Sequence, residues 1–284
     1  MAADLHLHSI YSDGSFSPKE LIEMAVNKGV KTIALADHDT VEGVRETVEY
    51  GLENGIEVIP AIEFSTFRDQ KEIHILGYYI DYKAEVFLTK IKELFKLRLN
   101  RARKMVKKLN DFGIGIPLKD VQGLAGDKYV GRPHIARAMI AAGYIDTMDQ
   151  AFSNEYIGNG GRAYVSKSRL SPADAINIIN QAGGIAVLAH PFFINKGDSL
   201  DQETIMSFVS LGIEGIEVYH SKHDKQTSEY YLDVARKLGL IVTGGSDFHG
   251  ENTPGLEIGD VILAEKYVAE LRRYYQDKPA HHLN

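Results

Sequence analysis

Short runs of β-branched and apolar residues alternate with stretches of helical periodicity along most of this chain, and that alternation restricts the fold more than any other feature. It begins with Ala3–His8, Lys19–Lys28, Thr32–Asp37, Val41–Asn54 and Glu57–Ser65, strand and helix in turn. It resumes with helix at Asp174–Gln181, strand at Gly184–His190, helix at Gln202–Ser210, strand at Ile213–Tyr219, helix at Lys225–Leu238 and strand at Leu240–Asp247. Parallel neighbours need a crossover that a helix supplies, so this order reads as repeated βαβ units. Ser17 before Pro18 reads as an N-cap, and Gly29, Gly183 and Gly239 fall where helices should stop.

Between the two halves the strand rhythm disappears and helices dominate. We therefore expect a barrel built from residues 1–81 and 165–284, interrupted by a mainly helical insertion over residues 82–164 that covers the active site. The insertion's first helix gathers Ile91, Leu94, Phe95, Ala102, Met105, Val106 and Leu109 on one apolar face. Its other face is basic, with Lys92, Lys96, Arg98, Arg101, Arg103, Lys104, Lys107 and Lys108. A solvated helix surface is the plain interpretation of that face, and a strip guiding a nucleic acid backbone is the sharper one.

Cysteine is absent from the 284 residues, which excludes disulfides and thiolate ligands, so any metal must be held by imidazole and carboxylate. The net charge of −7 argues against a surface coated in positive potential. Met1 leads directly into Asp4-Leu5-His6-Leu7-His8 with no basic and apolar leader, and no stretch approaches the ~20 apolar residues of a membrane span. A cytoplasmic protein with no membrane association is the expectation.

His6 and His8 stand two apart at the end of the first expected strand, where the period of two puts both imidazoles on one face. Such a pair is a weak signal alone. Its weight comes from the rest: Asp37-His38-Asp39 ends the second strand, Glu63 lies near the end of the third, and His74 follows in a short strand, Glu72–Tyr79. His190 ends a later strand, and Asp247 and His249 end the last. In an α/β barrel the strand C-termini open on one face, so these side chains should meet there. Imidazole and carboxylate without sulfur suit manganese, zinc, iron or magnesium. Glu63 and Asp13 could each bridge ions. A cluster of two or three ions with a bridging water or hydroxide as attacking group is the arrangement phosphoester hydrolysis uses.

The segments Asp4-Leu5-His6-Leu7-His8, Ser12-Asp13-Gly14, Asp37-His38-Asp39-Thr40, Glu63, His74, Ala189-His190-Pro191 and Gly245-Ser246-Asp247-Phe248-His249 resemble the motifs of the PHP family, named for polymerase and histidinol phosphatase. The resemblance implies a distorted seven-stranded (β/α) TIM-like barrel with a trinuclear metal centre, manganese foremost. Carried over, it gives His6, His8, Glu63 and Asp247 to one ion and Glu63, His74 and His190 to a second. Asp13, His38 and His249 would hold the third. Asp13, His38, Glu63 and His249 would also be the catalytic group.

Within the family, Val130-Gly131-Arg132-Pro133-His134-Ile135-Ala136-Arg137 looks like the insertion of stand-alone nucleoside 3′,5′-bisphosphate phosphatases and 5′-to-3′ exoribonucleases. Arg132 and His134 are similar to that subgroup's phosphate-binding pair. A guanidinium can grip a phosphate bidentately, although Arg132 could instead cap the helix that follows. Lys167 is a further phosphate candidate, as readily plain surface. His220 and His223 follow the strand Ile213–Tyr219, where one could contact substrate or transfer a proton. His281 and His282 sit in a polar tail and read as solvated. The implied substrate is a small nucleotide or a short 5′-phosphorylated RNA or DNA, with no obligate protein partner. The competing expectations are a histidinol-phosphate phosphatase and a non-catalytic metal-stabilised module of a replication assembly.

Overall fold

The computed structural model describes residues 2–69, 71–125, 130–166, 170–195 and 197–278; Lys167, His281 and His282 lie outside them. In chain order the elements are β1 (Ala2–Leu7), α1 (Pro18–Asn27), β2 (Val30–Leu35), α2 (Val44–Glu53), β3 (Glu57–Arg68) and β4 (Lys71–Tyr78). There follow α3 (Glu85–Asp111), α4 (Leu118–Leu124), α5 (Arg132–Ala141), α6 (Met148–Ala151), α7 (Pro172–Gln181), β5 (Ile185–Leu188), α8 (Gln202–Val209) and β6 (Gly215–His220). The last are α9 (Lys225–Leu238), β7 (Ile241–Gly245), β8 (Leu263–Ala264) and α10 (Glu265–Asp277).

Local chemistry explains the helix boundaries. Ser17 and Glu20 form a reciprocal capping box at α1, and Ser171 with Asp174 does the same at α7, each worth about 1 kcal/mol. That second box starts α7 at Pro172, two residues before the apolar periodicity becomes visible. Gly29, Gly183 and Gly239 take φ of +70°, +71° and +66°, the left-handed conformation that ends a helix without a Cβ clash.

The strands form one sheet in the order β7-β6-β5-β4-β3-β2-β1-β8. β1 with β2, β2 with β3, β5 with β6 and β6 with β7 are parallel, whereas β4 runs against both β3 and β5. Just past β7, the Asp247 amide donates to the His6 carbonyl at 2.9 Å and the His8 amide donates to the Phe248 carbonyl at 3.0 Å, drawing the sheet round into a barrel. Gly245 permits that closure, since a Cβ there would lie 2.4 Å from the His6 nitrogen. The expected seven strands are joined by β8, a two-residue edge strand antiparallel to Ala2 and Ala3.

The reversal of β4 changes how one expected site residue reaches the mouth. His74 lies in the first half of its strand, opposite Ser65 of β3, so it reaches the mouth because β4 points the other way. The general expectation of strand C-termini does not describe it.

The largest apolar cluster of the barrel runs from Leu5, Phe64, Tyr78 and Leu188 to Phe208, Tyr231 and Leu271. A separate apolar cluster forms among Ala102, Met105, Leu109, Ile135, Met139 and Ile157 of the segment between β4 and α7. Helix α3 serves both, with Phe87 and Ile91 on the barrel core and Met105 and Leu109 in the second cluster. Its basic face is not uniformly solvated: Arg98 pairs with Asp39 of the barrel, and Arg101 donates to the Val165 carbonyl at 2.7 Å. Lys92, Lys96, Arg103, Lys104, Lys107 and Lys108 are the exposed remainder. Among the described residues, no helix is long and apolar enough to cross a membrane.

Candidate active site

Every imidazole expected at the strand ends comes to the barrel mouth. His6 and His8 are fully buried, and Glu63, also fully buried, is the carboxylate they share. Glu63 Oε2 lies 3.4 Å from His6 Nε2, 3.3 Å from His8 Nε2 and 3.1 Å from His38 Nδ1. Its other oxygen lies 2.9 Å from both His74 Nδ1 and His190 Nε2. Asp247 Oδ1 sits 3.1 Å from His8 Nε2 and 3.5 Å from His6 Nε2. Asp13 reaches His249 Nε2 at 3.2 Å and His38 Nε2 at 3.8 Å.

These donors fall into three overlapping groups with metal-ligand spacing: His6, His8, Glu63 and Asp247; His8, Asp13, His38 and His249; and His38, Glu63 and His74. The first matches the set implied by resemblance. The second adds His8 to Asp13, His38 and His249. The third puts His38 where His190 was expected, although His190 Nε2 lies as close to Glu63 as His74 does, 2.9 Å.

The donor chemistry fits divalent cations. Buried polar atoms ordinarily find partners. His6 Nε2, His8 Nδ1, His8 Nε2, Asp13 Oδ1, His38 Nδ1 and Glu63 Oε2 are buried without a hydrogen bond among the described residues, and they face one another. Backbone strain collects at the same place: Asp39, His190 and Asp247 have φ of 52°, 23° and 59°, a conformation that costs non-glycine residues of order 1 kcal/mol or more and clusters at functional sites.

Charges within the cluster are mutually dependent. Burial would push the Glu63 carboxyl up, but His38, His74 and His6 around it hold it well below the usual carboxylate range. Asp13 and Asp247 are held low in the same way, against the same burial, by His38 with His249 and by His6. Burial drives His38 down to about 3 against the pull of Glu63 and Asp13, so its charge depends on theirs. Burial alone would also depress His74 and His249, yet Glu63 and Asp13 respectively raise them to about 10. The geometry agrees, since both nitrogens of His74 face carboxylates and both nitrogens of His249 face oxygen acceptors.

Sequence reasoning missed the acids behind the cluster. Glu217, fully buried in β6, accepts from His6 Nδ1 at 2.9 Å and from the His190 amide at 2.7 Å. Asp37 holds the loop after β1, accepting from the Ser9 amide at 2.7 Å and the Ser12 hydroxyl at 2.5 Å. Asp4 accepts from the Ser246 amide at 2.8 Å, tying β1 to the Asp247 segment, and burial lifts its carboxyl to about 6. Glu72 meets His74 Nε2 at 3.2 Å. The available signal for Glu217 was a carboxylate set between Ile216 and Val218 inside an expected strand.

Arg132 and His134 open α5, beside a narrow cavity between the barrel and the inserted helices. Arg98, Arg101 and Arg132 line it together with Asp39 and Ser65 of the barrel. Arg132 donates to Asn159 at 2.9 Å and lies over the Phe152 and Tyr164 rings, 5.3 and 5.9 Å from their centroids. His134 Nδ1 accepts from the Gly131 amide at 3.2 Å, so its proton sits on Nε2. Burial and then Arg137 lower its pKa, leaving a neutral ring able to donate. Arg137 bonds Asn252 at 3.0 Å, and Asn252 in turn donates to the Asp13 carbonyl at 2.6 Å, linking α5 to the ligand loops.

His220 is buried with Nε2 3.3 Å from Asp247 Oδ2, behind the cluster. His223 donates from Nδ1 to the Val218 carbonyl at 2.8 Å and packs on Phe192 and Tyr231, and burial lowers its pKa to about 4. It lines neither the arginine cavity nor the cavity over the cluster.

Shared acids and imidazoles at the open end of an α/β barrel define a metal-dependent hydrolytic centre, and known proteins agree. Residues 4–142 match the PHP domain. A 5′-3′ exoribonuclease of Haemophilus influenzae is 35% identical over 87% of this chain and 89% of its own length. A 3′,5′-nucleoside bisphosphate phosphatase of Chromobacterium violaceum is 32% identical over 90% of each. A solved structure from Bifidobacterium adolescentis, described as a metal-dependent phosphoesterase, superposes with a TM-score of 0.84 at 30% identity, covering 95% of this chain and 94% of that one. The chain belongs to the PHP family of metal-dependent phosphoesterases.

Proposed function

We propose that this enzyme removes phosphate from nucleoside 3′,5′-bisphosphates, releases mononucleotides from 5′-phosphorylated oligonucleotides, or does both at one site. The observation that carries the proposal is the pairing of the buried ligand cluster with a cavity holding Arg98, Arg101 and Arg132. One place can cut a phosphoester while the other grips a second phosphate of the same molecule, which both substrates possess. The relatives named for those activities align over nearly their whole length, the inserted helices included.

In this reading His6, His8, Asp13, His38, Glu63, His74, His190, Asp247 and His249 hold three divalent ions, with manganese preferred. Such ions lower the pKa of water, polarise phosphoryl oxygens and neutralise developing charge. The chain's residues do the rest. Asp13, His38, Glu63 and His249 fix the reacting groups in line. Arg132 holds a phosphate bidentately, and the Nε2 proton of His134 supplies a second donor. Glu217 keeps the His6 ring turned toward the centre. Residues 82–164 act as a covering unit that excludes water; their separate apolar cluster and the Arg98–Asp39 pair support this.

The test is a substrate panel of a nucleoside 3′,5′-bisphosphate, a 5′-phosphorylated RNA and histidinol phosphate, run with manganese and with zinc. Turnover of at least one nucleotide substrate well above histidinol phosphate is expected. Preference for histidinol phosphate would replace this substrate assignment. Hydrolysis of none, together with stable binding to a replication protein, would favour a non-catalytic module.

A further inference from the structure

The arginine cavity accounts for one side of a nucleotide substrate only. Over the ligand cluster lies a different cavity of about 440 Å³, which shares no lining residue with the arginine cavity and whose outer wall includes Lys71, Phe193 and Ile194. Lys71 and Ile194 also line a third cavity of about 610 Å³, so the two adjoin at these residues, and we take them together as a groove leading away from the cluster. Phe193 is 49% exposed in that groove. Its ring meets His190 at 5.2 Å and 70°, His220 at 5.6 Å and 86°, and Phe192 at 6.5 Å and 64°. All three contacts are steeply inclined, so no ring among the described residues stacks on its face. Isolated exposed aromatics are ordinary on protein surfaces. This one forms the wall of the cavity above the ligand cluster and touches His190.

We propose that Phe193 stacks the nucleobase following the scissile phosphate of an oligonucleotide, and that Lys71 meets the next phosphate along. The inference rests on the nucleotide reading above and extends it to polynucleotide chains. A nucleoside bisphosphate ends at the phosphate being hydrolysed. A chain must continue past it, away from the 5′-phosphate held at Arg132, and the groove over Phe193 and Lys71 provides the path. Lys71 is exposed, whereas beyond it the lining turns mixed, with Arg68 beside Asp69, Asp201 and Glu203. That places the last favourable phosphate contact at Lys71 and gives a footprint of one nucleotide beyond the cut. Every base has a π-face, so stacking there tolerates any sequence.

The test uses the manganese-loaded full chain on a 5′-phosphorylated RNA trinucleotide and a nucleoside 3′,5′-bisphosphate. Phe193→Ala should raise KM for the trinucleotide about tenfold more than for the bisphosphate, and Phe193→Tyr should restore it. Lys71→Gln should flatten the salt dependence of the trinucleotide KM by a log–log slope of about 0.7, the release expected for one single-strand phosphate contact. Equal changes on both substrates, or no change on the trinucleotide, would overturn the inference. A wild type that hydrolyses the bisphosphate and leaves the trinucleotide intact overturns it too, while sparing the phosphatase reading. A wild type inactive on both refutes the nucleotide reading itself.

Discussion

The ligand cluster and the arginine cavity adjoin at the mouth of one barrel, yet they keep their charges by opposite means. In the cluster every carboxylate is surrounded by imidazoles, deep among strand ends, and each group's protonation is set by its neighbours. In the arginine cavity the charges arrive on helices from another apolar unit and rest against single acids, amides and rings. Buried charge in a barrel is tolerable only when paired, so the cluster's composition is fixed by mutual need. Guanidinium groups keep their charge anywhere, and the inserted helices can vary while still presenting them.

This contrast can be broken most forcefully at the cluster. His38→Ala or Asp247→Ala should lower kcat by about a thousandfold or more, the scale expected when a divalent ion's contribution is lost, and reduce metal content by elemental analysis. Circular dichroism should show the fold retained. Arg132→Ala should instead lower kcat/KM by about a hundredfold, the scale of a lost charge-assisted phosphate contact, with metal content unchanged. Loss of the ions in Arg132→Ala would erase the distinction between the two regions. Glu217→Gln touches no expected substrate, yet should weaken metal affinity by about ten- to a hundredfold, as carboxylates behind ligating histidines do. An unchanged metal titration would demote Glu217 to a packing residue.

The smallest expected signal is a proton count. His6 is held well above the usual imidazole range and His74 and His249 are raised to about 10, so all three are cationic at pH 8. Ligation requires the neutral ring, so adding manganese at pH 8 should release about three protons per chain into weak buffer. The sign follows from the raised values: release should shrink as pH climbs through about 10, where the His74 and His249 rings are already neutral. Uptake of protons on manganese addition would contradict the charges assigned to the cluster.

Much of this was legible in the sequence for one reason: a barrel converts strand ends into neighbours. His6, His8, His38, Glu63, His190, Asp247 and His249 follow from that rule alone. His74 obeyed a different rule, since only pairing reveals that β4 is reversed. Strand Glu57–Arg68 runs three residues past its expected end because β4 supplies a hairpin partner that propensity cannot show. Helix α10 went unrecognised because its apolar contribution is sparse, with Tyr267, Val268 and Leu271 as its buried residues. Arg98 and Arg101 read as surface because a basic helical face looks the same whether it meets water or an acid such as Asp39. Glu217, Asp37 and Asp4 could not be assigned partners, because a buried carboxylate declares its role only when the donor opposite it is known.

Anomalous scattering at the manganese edge, from crystals grown with that ion, tests the central claim most directly. Adjacent manganese positions with Glu63 reaching more than one of them are expected, ringed by His6, His8, His38 and Asp247. No manganese at the mouth, with these side chains bonded to one another instead, would contradict the account.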